Sequence, residues 1–304
     1  MNAYVIHLFI MLCIYIVLTT SMNLAVGFTG LINLGHIAFY AIGAYTSALL
    51  AVKLGLPFWV GLLAGGCMAA FFGYLLSFPT VRLKGDYLAI GTLGFSIILE
   101  AVLKNWTSLT RGPLGIPGIP KPELFGLTFS SLELYAILAF TLALITFTVL
   151  KIVTVSPFGR VMKAVRDDEV AAKTLGKNTF RVKAKVLTLS AFFAGVAGSL
   201  YAHYITFIDP TSFAITETIL IFSMVLVGGT GSLWGSIAGA FVIGILLPEP
   251  LRFLDLPSSI VGGMRQALYA LLMILVIMKR PQGLIGEDTF HSMWHNVKRR
   301  FKFA

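Results

Sequence analysis

An all-α integral membrane protein of about 8–10 transmembrane helices is the fold class this sequence predicts, and three observations carry it. Of its 304 residues, 57% are hydrophobic and 12% charged, where soluble domains carry roughly 25% charged residues. Mean hydropathy is +0.89. The apolar residues fall in long runs near the ~20 residues a helix needs to cross ~30 Å of hydrocarbon. Such runs exclude a transmembrane β-barrel, whose strands alternate every second residue.

The runs place spans at about 4–22, 31–52, 58–78, 86–103, 132–153, 186–208, 214–228, 234–250 and 264–279 of one transmembrane domain over 1–304. No Asp, Glu, Lys or Arg occurs from Met1 to Val52. Lacking a basic n-region, the first run reads as a retained span. Segment 104–131 holds T-R-G-P-L-G-I-P-G-I-P-K-P. Its prolines remove backbone donors, so it is expected to be a structured loop or cap.

Two spans are interrupted by glycine-rich stretches, G-F-T-G-L-I-N-L-G-H (Gly27–His36) and G-G-T-G-S-L-W-G (Gly228–Gly235). Both begin G-x-T-G and both reach a Gly followed by x-Ile-Ala, a weak internal repeat whose copies run parallel. Broken helices in lipid leave backbone groups unsatisfied unless they are buried or line a cavity, and paired breaks point to a translocation path. The path candidates are Gly27, Thr29, Gly30, Asn33, His36, Gly228, Gly229, Thr230 and Gly231. The alternative is close packing through small residues, the reading given to Gly65, Gly66, Gly195 and Gly198. For His36 that alternative is a hydrogen bond to a neighbouring helix.

Charge sets the orientation. Between the spans, residues 154–185 carry Arg160, Lys163, Arg166, Lys173, Lys177, Arg181, Lys183 and Lys185 against Asp167, Asp168 and Glu169. That excess predicts a cytoplasmic loop. Counting spans puts the basic 280–304 tail in the cytoplasm too, with 104–131 and the N-terminus outside; Arg82 and Lys84 then lie inside. The net charge of +10 is therefore assigned to the cytoplasmic face and anionic membrane lipid, not to nucleic acid. The tail stretch His291–Phe303 mixes Trp, Phe and basic residues, as an interfacial amphipathic helix does.

Within the loop, Asp167-Asp168-Glu169 precede Val170-Ala171-Ala172. Acids at a helix N-terminus complement its dipole, Glu169 and Lys173 are spaced i,i+4, and Gly176 can end the helix in a left-handed cap. This predicts a short self-stabilised helix presenting Ala171 and Ala172 to a partner; a solvated connecting helix is the alternative.

Several chemistries are missing. The sequence contains no phosphate-binding G-x-x-x-x-G-K-[ST] and no His-Glu-x-x-His, so neither ATP hydrolysis by that route nor a metal site is expected. Cys13 and Cys67 are isolated in apolar runs and read as small core residues. With no catalytic set, an enzyme is not expected. Glu100, Glu217, Glu249 and Asp255 fall near outer ends and Asp86 near an inner one. A proton-relay carrier would bury acids at mid-membrane, so energy is expected from elsewhere.

The motifs resemble one family. Glu169, Ala171, Ala172 and Gly176 stand as E-x-A-A-x-x-x-G, similar to the ATPase-docking loop of ABC importer permeases. Met22–Tyr45, Gly85–Phe95, Gly112–Pro120, Ser156–Ala172, Gly228–Gly235 and R-P-Q-G-L-I-G (Arg280–Gly286) resemble the branched-chain amino acid permeases, in their M-type (LivM-like) form. Two positions depart from the pattern. Gln282 stands where the family has a basic residue, and Thr110-Arg111-Gly112-Pro113 where it has T-G-G-x.

The resemblance implies a permease subunit of the bacterial inner membrane working with a homologous second permease, two cytoplasmic ATPase subunits and a periplasmic substrate-binding protein. It implies no cofactor on this chain, ATP being bound by the partners. The loop residues Arg166, Asp167, Asp168, Glu169, Ala171, Ala172 and Gly176 would couple to the ATPase. The implied cargo is leucine, isoleucine, valine or related amino acids. Urea or short-chain amides, and a self-sufficient secondary carrier, are the rival readings.

Overall fold

The computed structural model describes residues 3–80, 83, 85–124, 127–129, 131–249, 258–280 and 282–286. Helices dominate: α1 (Ala3–Thr29), α2 (His36–Leu54), α3 (Phe58–Thr80), α4 (Asp86–Asn105), the single turn α5 (Thr107–Thr110), α6 (Leu132–Val155), α7 (Pro157–Asp167), α8 (Glu169–Thr174), α9 (Thr179–Ile205), α10 (Ile215–Gly228), α11 (Leu233–Phe241) and α12 (Ser258–Lys279). Among the described residues, seven helical stretches are long and apolar enough to cross a membrane, the seventh being Pro210–Gly228, and two shorter apolar stretches lie at Leu233–Leu246 and Gln266–Val276. The chain is thus an all-α integral membrane protein. Arg82, Lys84, Asp255 and the His291–Phe303 stretch lie outside the described residues.

Helices α2, α3 and α9 form the centre. Without a hydrophobic drive between helices in lipid, close contact of small residues holds them together. A Cβ on Gly43 would fall 2.1 Å from the Gly195 carbonyl oxygen, and one on Gly198 2.0 Å from that of Tyr40. Gly65 sits against Ser199 Oγ and the Gly43 carbonyl, and Ser199 Oγ donates to Gly195 O at 3.1 Å. The packing expected of Gly65, Gly195 and Gly198 is therefore present, and Gly66 lies under the Phe192 ring. Helix α1 leans on this trio through α9 and packs also on α6, α10 and α11. Cys13 on α1 is buried. Cys67 is exposed, against the expectation of a core residue: α3 turns only part of its surface to α2 and α9, and Cys67 falls on the remainder.

At one end, α7 and α8 join α6 to α9; we call this the loop end. At the opposite end, the described residues of 104–131 form a cap, as the Pro/Gly content predicts. Ile116–Pro117 pairs antiparallel with Phe207–Ile208, and Thr110 Oγ1 donates to Leu103 O at 2.7 Å. His203, buried at the end of α9, joins Pro120 O to Ser47 Oγ through its two ring nitrogens at 2.6 and 2.9 Å. Helix α11 ends in a π-helical turn, Val242–Leu246.

Candidate functional site

Helix α7 begins with Ser156 as N-cap, its hydroxyl accepting from Gly159 N, and Pro157 in the first turn, where the missing N–H costs nothing. Met162 and Val165 face inward, while Arg160 and Ala164 are exposed. Asp168 then breaks the helix. Its extended backbone and its carboxylate, accepting from Val170 N and Ala171 N at 2.8 and 3.0 Å, start α8 as an N-cap. The end of α8 is a Schellman closure: Gly176 at φ +75 donates to Lys173 O, and Lys177 N donates to Ala172 O.

Glu169 is the fastening of α8. It accepts from Lys173 at 2.9 Å, the i,i+4 pair read from the sequence, and also from Lys183 at 2.7 Å and Thr179 Oγ1 at 3.1 Å. Partial desolvation raises its carboxyl pKa, but the hydrogen bonds from Lys183 and Lys173 outweigh that and hold it down at about 2. Lys183 is itself nearly buried, so α8 is tied to the first turn of α9.

The expected pair of alanines is split. Ala171 is exposed, but Ala172 is 3% exposed and faces this chain's own core. The tie of Glu169 to α9 fixes the roll of α8, and that roll turns Ala172 inward. The exposed apolar groups of the loop are instead Val170 (64%) and Leu175 (77%), which the sequence reading did not single out.

Arg166 links α7 to the first break. Its Nη1 donates to Gly27 O at 3.0 Å and its Nε to Asp167 Oδ1 at 3.0 Å. The Gly27 carbonyl is one of those left over at the end of α1. Gly30, at φ +71, lies against the Arg166 side chain, leaving 3.2 Å to Cγ for an added Cβ. Thr29 Oγ1 donates to Leu24 O at 3.1 Å. Asn33 Oδ1 accepts from Gly35 N at 3.0 Å, and Leu34 N donates to Thr92 Oγ1 at 3.0 Å. His36 meets Ser21 Oγ through Nε2 at 3.0 Å, the neighbour-helix bond considered from the sequence. Asn33 Nδ2 and His36 Nδ1 are buried without a hydrogen-bond partner among the described residues.

The two glycine breaks meet in space. Gly27 packs on Gly231, so that a Cβ on Gly27 would be 2.1 Å from Gly231 N. Asn23, fully buried, clamps the second break from four directions. Its Nδ2 donates to Gly229 O, Ser232 O and Ser236 Oγ at 3.2, 2.9 and 2.7 Å, and its Oδ1 accepts from Gly231 N at 3.0 Å. Gly229 (φ +130) and Gly231 (φ +78) adopt backbone that other residues rarely reach. Gly228 lies against the Gly235 carbonyl across the hairpin of α10 and α11.

The segment after α12 closes this break. Leu284 N donates to Val227 O and Ile285 N to Gly228 O, both at 2.9 Å, satisfying carbonyls at the end of α10. Gly283 rests on Gly229, with only 2.4 Å from a would-be Cβ to Gly229 Cα. Helix α10 starts beside the first turns of α1 and ends beside Asn23, so the two G-x-T-G copies do run parallel. Of the nine path candidates, Gly30 is exposed and Thr230 half-buried; Gly27, Thr29, Asn33, His36, Gly228, Gly229 and Gly231 are buried. Sequence reasoning gave no site role to Asn23, Ser232 or Ser236, and counted Lys183 only in the basic excess of the loop. A lone Asn inside an uncharged apolar run was the one signal that could have found the clamp.

Comparison with known proteins agrees with this architecture. The family model described as branched-chain amino acid transport system / permease component matches residues 4–277. The high-affinity branched-chain amino acid transport system permease protein LivM of Escherichia coli K12 is 40% identical over 297 residues, covering 90% of this chain and 68% of the relative. LivH of the same strain is 26% identical over 294 residues (90% and 91% covered). The guanosine ABC transporter permease protein NupQ of Bacillus subtilis is 27% identical over 256 residues (76% and 78% covered). The chain belongs to the branched-chain amino acid permease family and is LivM-like.

Proposed function

We propose that this family member is one permease subunit of an ABC importer, and that its cargo is leucine, isoleucine, valine or a related amino acid. The observation that carries the coupling part of the reading is the double fastening of the loop. Glu169 ties α8 to α9 and Arg166 ties α7 to the end of α1, so a force applied to the loop reaches two spanning helices without slack. A solvated connector needs neither tie.

In this reading the loop end is cytoplasmic, by the excess of basic residues there, and the capped end faces the periplasm of a bacterial inner membrane. Two ATPase subunits bind below, one of them over the exposed Val170, Ala171 and Leu175; ATP is held by those subunits and no cofactor by this chain. A homologous second permease completes the path, and a substrate-binding protein docks above. The glycine breaks Gly27–Gly30 and Gly228–Gly231, with Asn33 and His36, flank the path and change their packing as the pair alternates. ATP-driven closure of the ATPases supplies the work, and this chain catalyses no bond-breaking step. The cargo assignment rests on the 40% identical LivM.

The test is uptake of labelled leucine into proteoliposomes holding this chain with its second permease, ATPases and binding protein. ATP-dependent uptake by the full set alone is the expected result, with valine and isoleucine competing. Competition by urea, amides or guanosine instead would redirect the cargo. Uptake by this chain alone under an ion gradient would overturn the importer reading.

A further inference from the structure

A cavity of about 770 Å³ opens at the capped end between α1, the first turn of α10, the π-helical end of α11, and α12. Its size lies within the ~300–1,000 Å³ of small-molecule sites. One pole is acidic. Glu217 and Glu249 line it, and no lysine or arginine is among the described lining residues, although the whole chain carries +10. Glu249 accepts from the Tyr4 hydroxyl. His7 also lines the cavity, its Nδ1 joined to the Tyr204 hydroxyl at 2.7 Å. The Glu217 side chain has no hydrogen bond or ion pair among the described residues, and the residue is half-buried in a spanning helix. An acidic side chain within a spanning helix marks a functional site.

Leu8, Met11, Ile219 and Leu220 add an apolar lining. The π-helical turn also contributes, since it carries Gly244 to the cavity edge, and such turns recur at functional sites. We propose that this cavity receives a small primary-ammonium compound with a branched apolar side chain, Glu217 taking the ammonium and the Leu8–Met11–Ile219–Leu220 lining the side chain. The inference rests on the transport reading above and adds where on this chain the solute is met.

The test uses the complete permease–ATPase complex in nanodiscs, without the binding protein, and saturation-transfer NMR with three probes. Leucine carries both ammonium and carboxylate, isopentylamine only the ammonium, 4-methylpentanoate only the carboxylate. Leucine and isopentylamine should give signals that fall about tenfold or more in Glu217→Gln, as expected for loss of a charge-assisted contact, and persist in Glu217→Asp. The carboxylate alone should bind weakly in every case. Co-elution of Glu217→Gln with its partner subunits at the wild-type position on size exclusion shows that it has folded and assembled. Isopentylamine binding that needs Glu217, in a complex that imports no leucine, would uphold the site and overturn the transport reading. Wild-type leucine uptake and unchanged probe signals in Glu217→Gln would do the reverse, as would 4-methylpentanoate binding as well as leucine does.

Discussion

Replacing Asn23 by leucine keeps the branching and heavy-atom count of the side chain and removes all four of its hydrogen bonds. Their loss falls unevenly. Ser232 O keeps its bond from Ser236 N at 3.1 Å, and Ser236 Oγ still donates to Ser232 O at 3.3 Å. Gly231 N and Gly229 O are left buried with no partner among the described residues. Each orphaned group costs ~1–3 kcal/mol in a protein interior. Hydrogen bonds between spanning helices measure lower, ~0.6 kcal/mol on average and ~1.7 at most, because the dissociated helices find other partners in the bilayer. The two limits together put Asn23→Leu at about 1–3 kcal/mol. The built-in reporter is Cys13, 2% exposed on the same helix. In a Cys67→Ser background its reaction with a fluorogenic maleimide follows unfolding in detergent, and chemical denaturation gives the free energy. A change below ~0.5 kcal/mol would refute the clamp, since it would mean that water or a shifted backbone already satisfies the break.

Other outcomes follow from the same geometry. Val170→Asp or Leu175→Asp, on the exposed face of the loop, should cut co-purification of the ATPase at least ~10-fold with thermal stability unchanged; Ala172→Asp should instead destabilise this chain, since it buries a charge. Arg166→Ala should lower leucine uptake more than it lowers ATPase activity in the reconstituted complex; a parallel fall in both would place Arg166 in assembly rather than transmission. Gly283→Ala should destabilise by more than ~1 kcal/mol, because it adds strain at φ +80 to a contact of 2.4 Å; thermal melting reads it. Glu169 is held near pKa 2 against 4.5 for the free group, so its contribution is full above about 4.5 and is lost as pH falls through about 2. Protease sensitivity of the loop should therefore rise on acidification across that window, and Glu169→Gln should be equally sensitive at pH 7 and largely flat with pH.

What the sequence made legible was whatever depends on neighbours along the chain. The spans came from local hydropathy, the cap at 104–131 from its prolines, and the frame of α8 from Asp168, Glu169, Lys173 and Gly176, which interact within about two helical turns. The face that α8 presents was not legible. It is set by Lys183, 14 residues downstream of Glu169, and a helix of six residues has no periodicity from which to read a buried side. The glycine breaks were visible as breaks, but that they pack on each other depends on Asn23 and on partners more than 200 residues away. The R-P-Q-G-L-I-G stretch stood out only as a family block. Its work, closing the end of α10 through backbone N–H groups of Leu284 and Ile285, involves no side-chain chemistry that a motif could display.

The Asn23 clamp also has a consequence for biosynthesis. Asn23 sits in α1, and its partners at 229–236 lie 206 to 213 residues further on. At synthesis rates of ~5–20 residues per second, α1 waits roughly 10–40 s before they exist. For that time it crosses the bilayer with an unsatisfied amide, alongside Ser21, whose carbonyl awaits Ser190, and with carbonyls at its end awaiting Arg166. The order of repair is fixed by the chain: Arg166 reaches Gly27 first, Ser190 reaches Ser21 next, and Asn23 is satisfied only when α10 and α11 arrive. A helix made about 200 residues ahead of its partners is thus among the last to be finished, and stalled chains display the polar groups of α1 to whatever membrane quality control reads them.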